Sequence, residues 1–383
     1  MDFTLAPEDQ ALADLCRDFA AGEIAPHAAR WSVEERCPVE VLRHMGELGL
    51  MGLLVPEEYG GAGVSTVGFV AAMQEIGRAD QSLASAWQAH LTIGSLPLLH
   101  FGSEEQKQRW LRPLAEGRAL GAFGLTEPDA GSDAGGIRTR AVRDGDGWRI
   151  NGRKMFISNA GTDLSLGVTL LARVGDEDAD GGSRFASFVV ERDTPGYSWG
   201  KKLRGIGWRA LDTRELMFDD VHVPDDHLVG NPDRGLAQFL SILEVGRISV
   251  AALSVSLAQA VLEMSVAYSK QRTQFGRPIG DFQAIQFKLA DIATETEAAR
   301  WLTYRAAALR DAGKPFRREA AMAKMKASRV ARWAASEAVQ IHGGYGYMME
   351  HPVARFFCDS KILEIGEGTN EIQHLVIARE LAS

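Results

Sequence analysis

The stretch Phe123-Gly-Leu-Thr-Glu-Pro-Asp-Ala-Gly-Ser-Asp133 stands where the chain changes its period. Upstream, apolar residues recur at helical spacing. Pro7 opens a helix carrying Leu12, Leu15, Cys16 and Phe19 on one side, and a second helix runs near Val41 to Leu50. Ser103 and Gln106 have the spacing of a capping box for a helix through Trp110 and Leu114. Downstream, residues 121 to about 230 are rich in Gly, Asp and β-formers. Asp144-Gly-Asp-Gly147 and Asn151-Gly152 are turn signals, and strands are predicted over Leu166 to Arg173, Arg184 to Glu191 and Arg214 to Val223.

The helical period returns from about Leu236 and persists. Asp281 has the character of an N-cap for a helix whose Phe282, Ile285, Leu289 and Ile292 share a face, and further helices are predicted over 317–341 and 352–380. The pattern predicts an α+β multidomain chain. Its parts are an N-terminal helical domain (1–120), a middle antiparallel β domain (121–231) and a C-terminal domain resembling a four-helix bundle (232–383).

Composition narrows the function. The 383 residues are 45% hydrophobic and 24% charged with a formal net charge of -9, and no basic stripe offers itself to nucleic acid or an anionic membrane. A bound polyanion would be held by a few placed arginines. The three cysteines, Cys16, Cys37 and Cys358, are odd in number, widely spaced and without a C-x-x-C pair, so reduced thiols are expected. The N-terminus lacks the basic start and apolar run of a signal peptide, and no apolar run is read as long enough to cross a bilayer. A cytoplasmic protein is expected.

Five segments carry chemistry. In Phe123–Asp133, Thr126, Ser132, Gly124 and Gly131 surround a proline turn, suited to bring donors against a flat polar ring or a phosphate. A turn-rich interdomain connection would read the same way. In Met155-Phe-Ile-Ser-Asn159, Phe156 and Ser158 fall on one strand face by the period of two, as at the edge of a planar cofactor or on a plain sheet face. Arg272-Thr-Gln-Phe-Gly-Arg-Pro278 sets a guanidinium between two long helices, where a diphosphate or only solvent would meet it. Gln340-Ile-His-Gly-Gly-Tyr-Gly346 has more glycine than a helix C-cap needs, and its lone His342 reads as a packed histidine. Ile365-Gly-Glu-Gly-Thr-Asn-Glu-Ile-Gln373 presents Glu367 at a break between helices, with Gly366 at a C′ position and Thr369 at an N-cap. A carboxylate facing an apolar site there would have a raised pKa and could act as a base. The G-x-G-x-x-A match at Gly205–Ala210 lies inside the β region and is rejected as a dinucleotide fingerprint.

In this order and at these separations, the five segments resemble the acyl-CoA dehydrogenase family over essentially the whole chain. The resemblance implies FAD, a homotetramer built as a dimer of dimers, and electron transfer to an electron-transferring flavoprotein. By position, Phe123, Leu125, Thr126, Gly131, Ser132, Phe156 and Ser158 would contact FAD from one subunit. Arg272, Phe275, Gln283, Gln340 and Gly344 would meet the adenosine and pyrophosphate end of a neighbouring subunit's FAD, while Thr369 and Glu371 return to the FAD beside the base. Ser132, Arg247 and Gly368 would lie along the acyl-CoA. Glu367 would take the α-proton of the thioester while the β-hydride passes to flavin N5, giving a trans-2-enoyl-CoA. The Glu367 backbone N–H and a ribityl hydroxyl would polarise the thioester carbonyl.

Some branches of the family carry the base immediately before the arginine matching Arg247; here that position is Gly246. Many straight-chain members have Tyr before the base, where this chain has Gly366, which implies room for a short, medium or branched acyl group. Dehydrogenation of a carrier-protein-bound acyl group is the near alternative. An acyl-CoA oxidase, a flavin monooxygenase and a DNA-protective relative share the fold, and the retained base and net acidity weigh against the last two.

Overall fold

The computed structural model describes residues 4–175 and 184–382. The N-terminal part is helical: α1 (Pro7–Phe19), α2 (Ala28–Glu34), α3 (Val39–Glu47), α4 (Thr66–Ala79), α5 (Gln81–Ala89), α6 (Leu96–Phe101), α7 (Glu104–Gln106) and α8 (Arg112–Ala115). Both halves of the predicted capping box form, with Gln106 N donating to Ser103 Oγ and Ser103 N to Gln106 Oε1. Wide π turns interrupt the helical run at Ala20–Ile24, His90–Gly94 and Lys107–Leu111.

The strands follow: β1 (Phe123–Gly124), β2 (Arg140–Asp144), β3 (Gly147–Ser158), β4 (Gly167–Val174), β5 (Arg184–Glu191), β6 (Tyr197–Trp199), β7 (Thr213–Pro224) and β8 (Leu228–Val229). They form one sheet in the order β6-β7-β3-β2-β4-β5-β8, with β1 pairing β4. It is mainly antiparallel; β1 and β2 each pair β4 in parallel. One sequence reading is corrected here. Asn151-Gly152 is not a hairpin turn but lies inside β3, at a register shift against β7. Asn151 exchanges hydrogen bonds with Asp220 across the irregularity, at 2.9 and 3.0 Å, the first of which gives the Asp220 amide a partner where the ladder shifts.

The C-terminal part holds α9 (Gly235–Gln271), α10 (Gln283–Asp311), α11 (Arg317–His342), α12 (Gly344–Tyr347), α13 (Pro352–Ser360) and α14 (Asn370–Ala382). Asp281 does not cap α10: it sits in a short 3-10 turn, and Phe282 occupies the N-cap without a side-chain bond. The expectation that no run could span a bilayer is also corrected. By length and composition α9 is apolar enough. It is instead the central core helix, with Leu253, Val255, Leu257 and Val261 buried among residues of α4, α5 and α11.

Shared clusters join the three parts. Trp110, Leu111 and Leu114 pack with Val189 and Val229 of the sheet, and Phe123 stacks on Phe239 of α9 at 4.2 Å. Deeper, Asp80 at the N-cap of α5 receives Arg355 of α13 at 2.5 Å, and Asp359 accepts Trp208 N at 2.6 Å. His90 accepts Gly121 N on Nδ1, so its Nε2 must donate to Met51 O; burial of this neutral ring pushes its pKa down to about 4.

Candidate active site

The segment around Glu367 lies between a 3-10 turn (Lys361–Glu364) and α14. Gly366 reads as a C′ residue, but the left-handed conformation common at that position is taken by Glu367 itself (φ 53°) and by Gly368 (φ 93°). A glutamate held at positive φ is strained, and such strain persists only where the surroundings over-determine it. They do so here. Lys324 Nζ, buried on α11, donates to Gly368 O at 2.9 Å and to Asn370 Oδ1 at 3.2 Å. Gln373 Nε2 donates to the same Gly368 carbonyl at 2.8 Å, and Ser328 Oγ supports Asn370 at 3.1 Å. Two donors on one carbonyl fix the peptide that follows the base. Thr369 precedes α14 as predicted, and its Oγ1 accepts Ile372 N at 3.4 Å.

The strained backbone aims the carboxylate at α9. Gln88 Nε2 of α5 donates to Glu367 Oε1 at 2.5 Å. Oε2 is out of contact with water and has no partner. Arg247 of α9 is also buried, and its Nε and Nη1 have no partner. Buried polar groups are nearly always paired, so these orphans mark where a ligand must supply partners. Burial raises the pKa of Glu367 from 4.5 to about 7, against the opposing pull of the Gln88 hydrogen bond, Arg247 and Lys324. A glutamate of that pKa is half ionised near neutrality and well matched to take and hold a proton.

The segment 123–133 is tied to the sheet from beneath. Glu127 is buried, ion-paired with Lys154 Nζ at 2.8 Å and capped by the Arg138 and Thr139 amides at 2.6 and 3.0 Å. Met155 N donates to Thr126 O at 2.8 Å, which brings the first two motifs together. Phe123 and Leu125 point into a small core cluster, whereas Gly131 and Ser132 lie exposed. The period-two argument for Phe156 and Ser158 does not hold, because the register slips between Lys154 and Ile157. Phe156, at φ 61°, is turned out and is 65% exposed, while Ser158 is half-buried. A planar group could lie on that ring.

The third and fourth motifs also meet: the Arg272 guanidinium lies 5.8 Å above the Tyr345 ring. Arg272 ends α9, and Thr273–Gln274 pairs with Arg277–Pro278 in a small hairpin with Phe275 and Gly276 at its tip. Phe275 is 93% exposed, and Gln283, Gln340 and Gly344 are exposed beside it in sequence or motif. His342 is a packed histidine, as expected: Nδ1 bonds Ala338 O at 2.7 Å and the ring stacks on Tyr268. Thr369 and Glu371 line a cleft of about 560 Å³ with Arg329, Arg332 and Lys361.

Profiles of the acyl-CoA dehydrogenase N-terminal, middle and C-terminal domains match residues 6–118, 122–221 and 233–382. The chain belongs to the acyl-CoA dehydrogenase family. It is 49% identical to the probable acyl-CoA dehydrogenase YngJ of Bacillus subtilis (strain 168), covering 100% of both chains. The butyryl-CoA dehydrogenase structure from Megasphaera elsdenii superposes at a TM-score of 0.96 with 40% identity over 100% of both chains. A structure described as the electron transferring flavoprotein of Acidaminococcus fermentans matches with a TM-score of 0.96 and 40% identity, over 100% of this chain and 99% of that one. An acyl-CoA dehydrogenase of Bacillus anthracis complexed with FAD is 34% identical, with a TM-score of 0.92 over 99% of this chain and 68% of that one.

Gln88, Ser249 and Lys324 lie outside the five segments, and Gln373 closes the fifth without a role assigned from sequence. Each is a polar residue inside a helix that is buried at that point. Only the helix packing places them at the base.

Proposed function

We propose that this family member removes hydrogen from Cα and Cβ of a short, medium or branched acyl-CoA, with Glu367 as the base and an electron-transferring flavoprotein as the acceptor of its electrons. The cofactor is FAD. Its residues fit. Outward-turned Phe156, the open backbone at Gly131 and Gly344, and Arg272 over Tyr345 supply a ring face, close approach and a cation for a planar ring bearing a diphosphate. Phe123, Leu125, Thr126, Ser132 and Ser158 would complete the hold from one subunit. Phe275, Gln283 and Gln340 would complete it from a neighbour in a homotetramer, and Thr369 and Glu371 beside the base. Bound FAD supplies the two-electron acceptor that no side chain offers.

The protein's share is a proton and a geometry. The orphaned, buried Oε2 of Glu367, with a pKa near 7, carries this reading. It would receive the α-proton of a thioester whose carbonyl oxygen accepts the Glu367 N–H, while Arg247, Ser132 and Gly368 line the acyl-CoA. A Cβ added to Gly366 would meet only Ile362 O, at 3.5 Å, so a larger residue there would take space that this chain leaves open. That supports the short or branched acyl group.

Anaerobic titration with a panel of acyl-CoAs tests the reading by flavin bleaching. Short and branched thioesters should bleach it fastest, and Glu367→Gln should retain FAD without bleaching. Preference for long straight chains overturns the size assignment; bleaching of Glu367→Gln at the wild-type rate overturns the base. Peroxide formation in air would identify an oxidase instead.

A further inference from the structure

We propose that Gln88 is a positioning residue for the base: its carboxamide, oriented by Thr92 and Ser249, grips Glu367 Oε1 and leaves Oε2 as the oxygen presented to the substrate. The proposal rests on Glu367 being the base.

The orientation of the amide follows from the hydroxyl protons. Thr92 Oγ1 donates to Gln88 O at 2.8 Å, and Ser249 Oγ donates to Gly246 O at 2.6 Å. Both hydroxyls have spent their single proton on backbone carbonyls, so toward Gln88 they can only accept. The nitrogen end of the amide must therefore face them, at 3.0 and 2.7 Å. The same nitrogen then faces Glu367, at 2.5 Å. Two N–H protons serve three acceptors, and the shortest contact goes to the carboxylate, as expected of a charge-assisted bond. Gln88, Thr92 and Ser249 are all buried, so water does not compete. The wide turn His90–Gly94 after α5 supplies Thr92.

The other charged groups acting on Glu367 are Arg247 of α9 and Lys324 of α11. Glu364 and Glu371 act on Lys324. Arg247 Nε and Nη1 have no partner and Lys324 Nζ bonds Gly368 O and Asn370 Oδ1, so among the described residues Gln88 makes the carboxylate's one direct hydrogen bond. An amide N–H on Oε1 stabilises the ionised base and stops the carboxyl from rotating, so Oε2 stays the oxygen turned to the substrate.

Gln88→Leu, similar in volume, is the test. With FAD content and thermal midpoint retained, kcat at pH 7 should fall about tenfold to a hundredfold. The acid limb of kcat/KM should move up by about one pH unit. Ser249→Ala keeps the amide but removes one of its anchors, and should shift both in the same direction by less. If Gln88→Leu loses FAD, Ser249→Ala carries the test. An activity-independent readout is the infrared carboxyl band of Glu367 in the substrate-free protein, assigned by difference against Glu367→Gln. Its titration should move up in Gln88→Leu. An unmoved band and unmoved acid limb overturn the proposal. Absence of any acyl-CoA turnover in the wild type would overturn the functional reading instead, while leaving the infrared titration to judge Gln88.

Discussion

A Cβ built on Gly246 would lie 1.5 Å from Glu367 Oε2. Residues 121 positions apart in the chain are thus complementary: the carboxylate occupies the volume that a side chain on α9 would fill. The two base positions of the family, expected by resemblance at Gly246 and Glu367, abut at one point in space.

This contact yields a sharp test. Gly246→Ala must displace a carboxylate already held by Gln88, and a misplacement of about 1 Å at a reacting group costs on the order of a hundredfold. We expect kcat to fall by about that factor with FAD retained, because Gly246 touches the base and not the cofactor motifs. Gly246→Glu combined with Glu367→Gly should recover part of the activity lost in Glu367→Gly alone, since the new carboxylate starts where the old one ended. Stopped-flow flavin reduction measures both. An unchanged rate in Gly246→Ala would mean that the carboxylate works from another place.

The raised pKa of Glu367 is also a statement about stability. A group whose folded pKa lies above its unfolded value stabilises the fold fully below the unfolded pKa, and that contribution is lost as pH rises through the folded one. For Glu367 the window runs from 4.5 to about 7. The gap corresponds to roughly 3 kcal/mol at most. Glu367→Gln removes this liability, so its thermal midpoint should exceed that of the wild type by more at pH 8 than at pH 5, at equal FAD loading. A constant difference across that range would show that the carboxylate is not held out of water.

Much of this site was legible because its loops announce themselves. The helix–β–helix order and the strand at Arg184–Glu191 follow from periodicity. Glu367 was visible because glycines flank it. What was hidden depends on contacts between distant segments. Asn151-Gly152 has the composition of a turn, but β7 continues past it, so a bulge absorbs the glycine. Glu367 takes the left-handed conformation in place of Gly366, because Lys324 and Gln373 fix the next carbonyl. Gln88 lies on a helix buried along its whole length, beside the equally buried Gln81, Ser82 and Ser85, so no solvent-facing pattern distinguishes it.

Lys324 links the charge of the site to its shape. Burial lowers its pKa to about 8, and its ammonium draws down the pKa of Glu367. Lys324→Met removes that cation and leaves Gly368 O with Gln373 alone. The acid limb of kcat/KM should move to higher pH, and kcat at pH 7 should drop about tenfold or more for the lost buried bond. Steady-state profiles from pH 5.5 to 9 decide it; a fall in rate with the acid limb fixed would assign Lys324 to loop shape and not to charge.

Phe275 offers a test of assembly that leaves the base untouched. With Gly276 it forms a two-residue turn in which both φ angles are positive, 51° and 78°, and a bulky residue there is strained. An aromatic both strained and 93% exposed stores cost in the single chain that a neighbouring subunit could repay by covering it. Phe275→Gly should relieve the turn, so the thermal midpoint of the dissociated chain should not fall. The same change removes an aromatic anchor worth about 2 kcal/mol when buried, which weakens assembly roughly thirtyfold at each such contact. Sedimentation across a dilution series, read at the protein and flavin absorbances, should show the variant dissociating and shedding FAD at concentrations where the wild type does neither. Identical sedimentation and FAD retention would place Phe275 outside the subunit contact and leave its strain without that compensation.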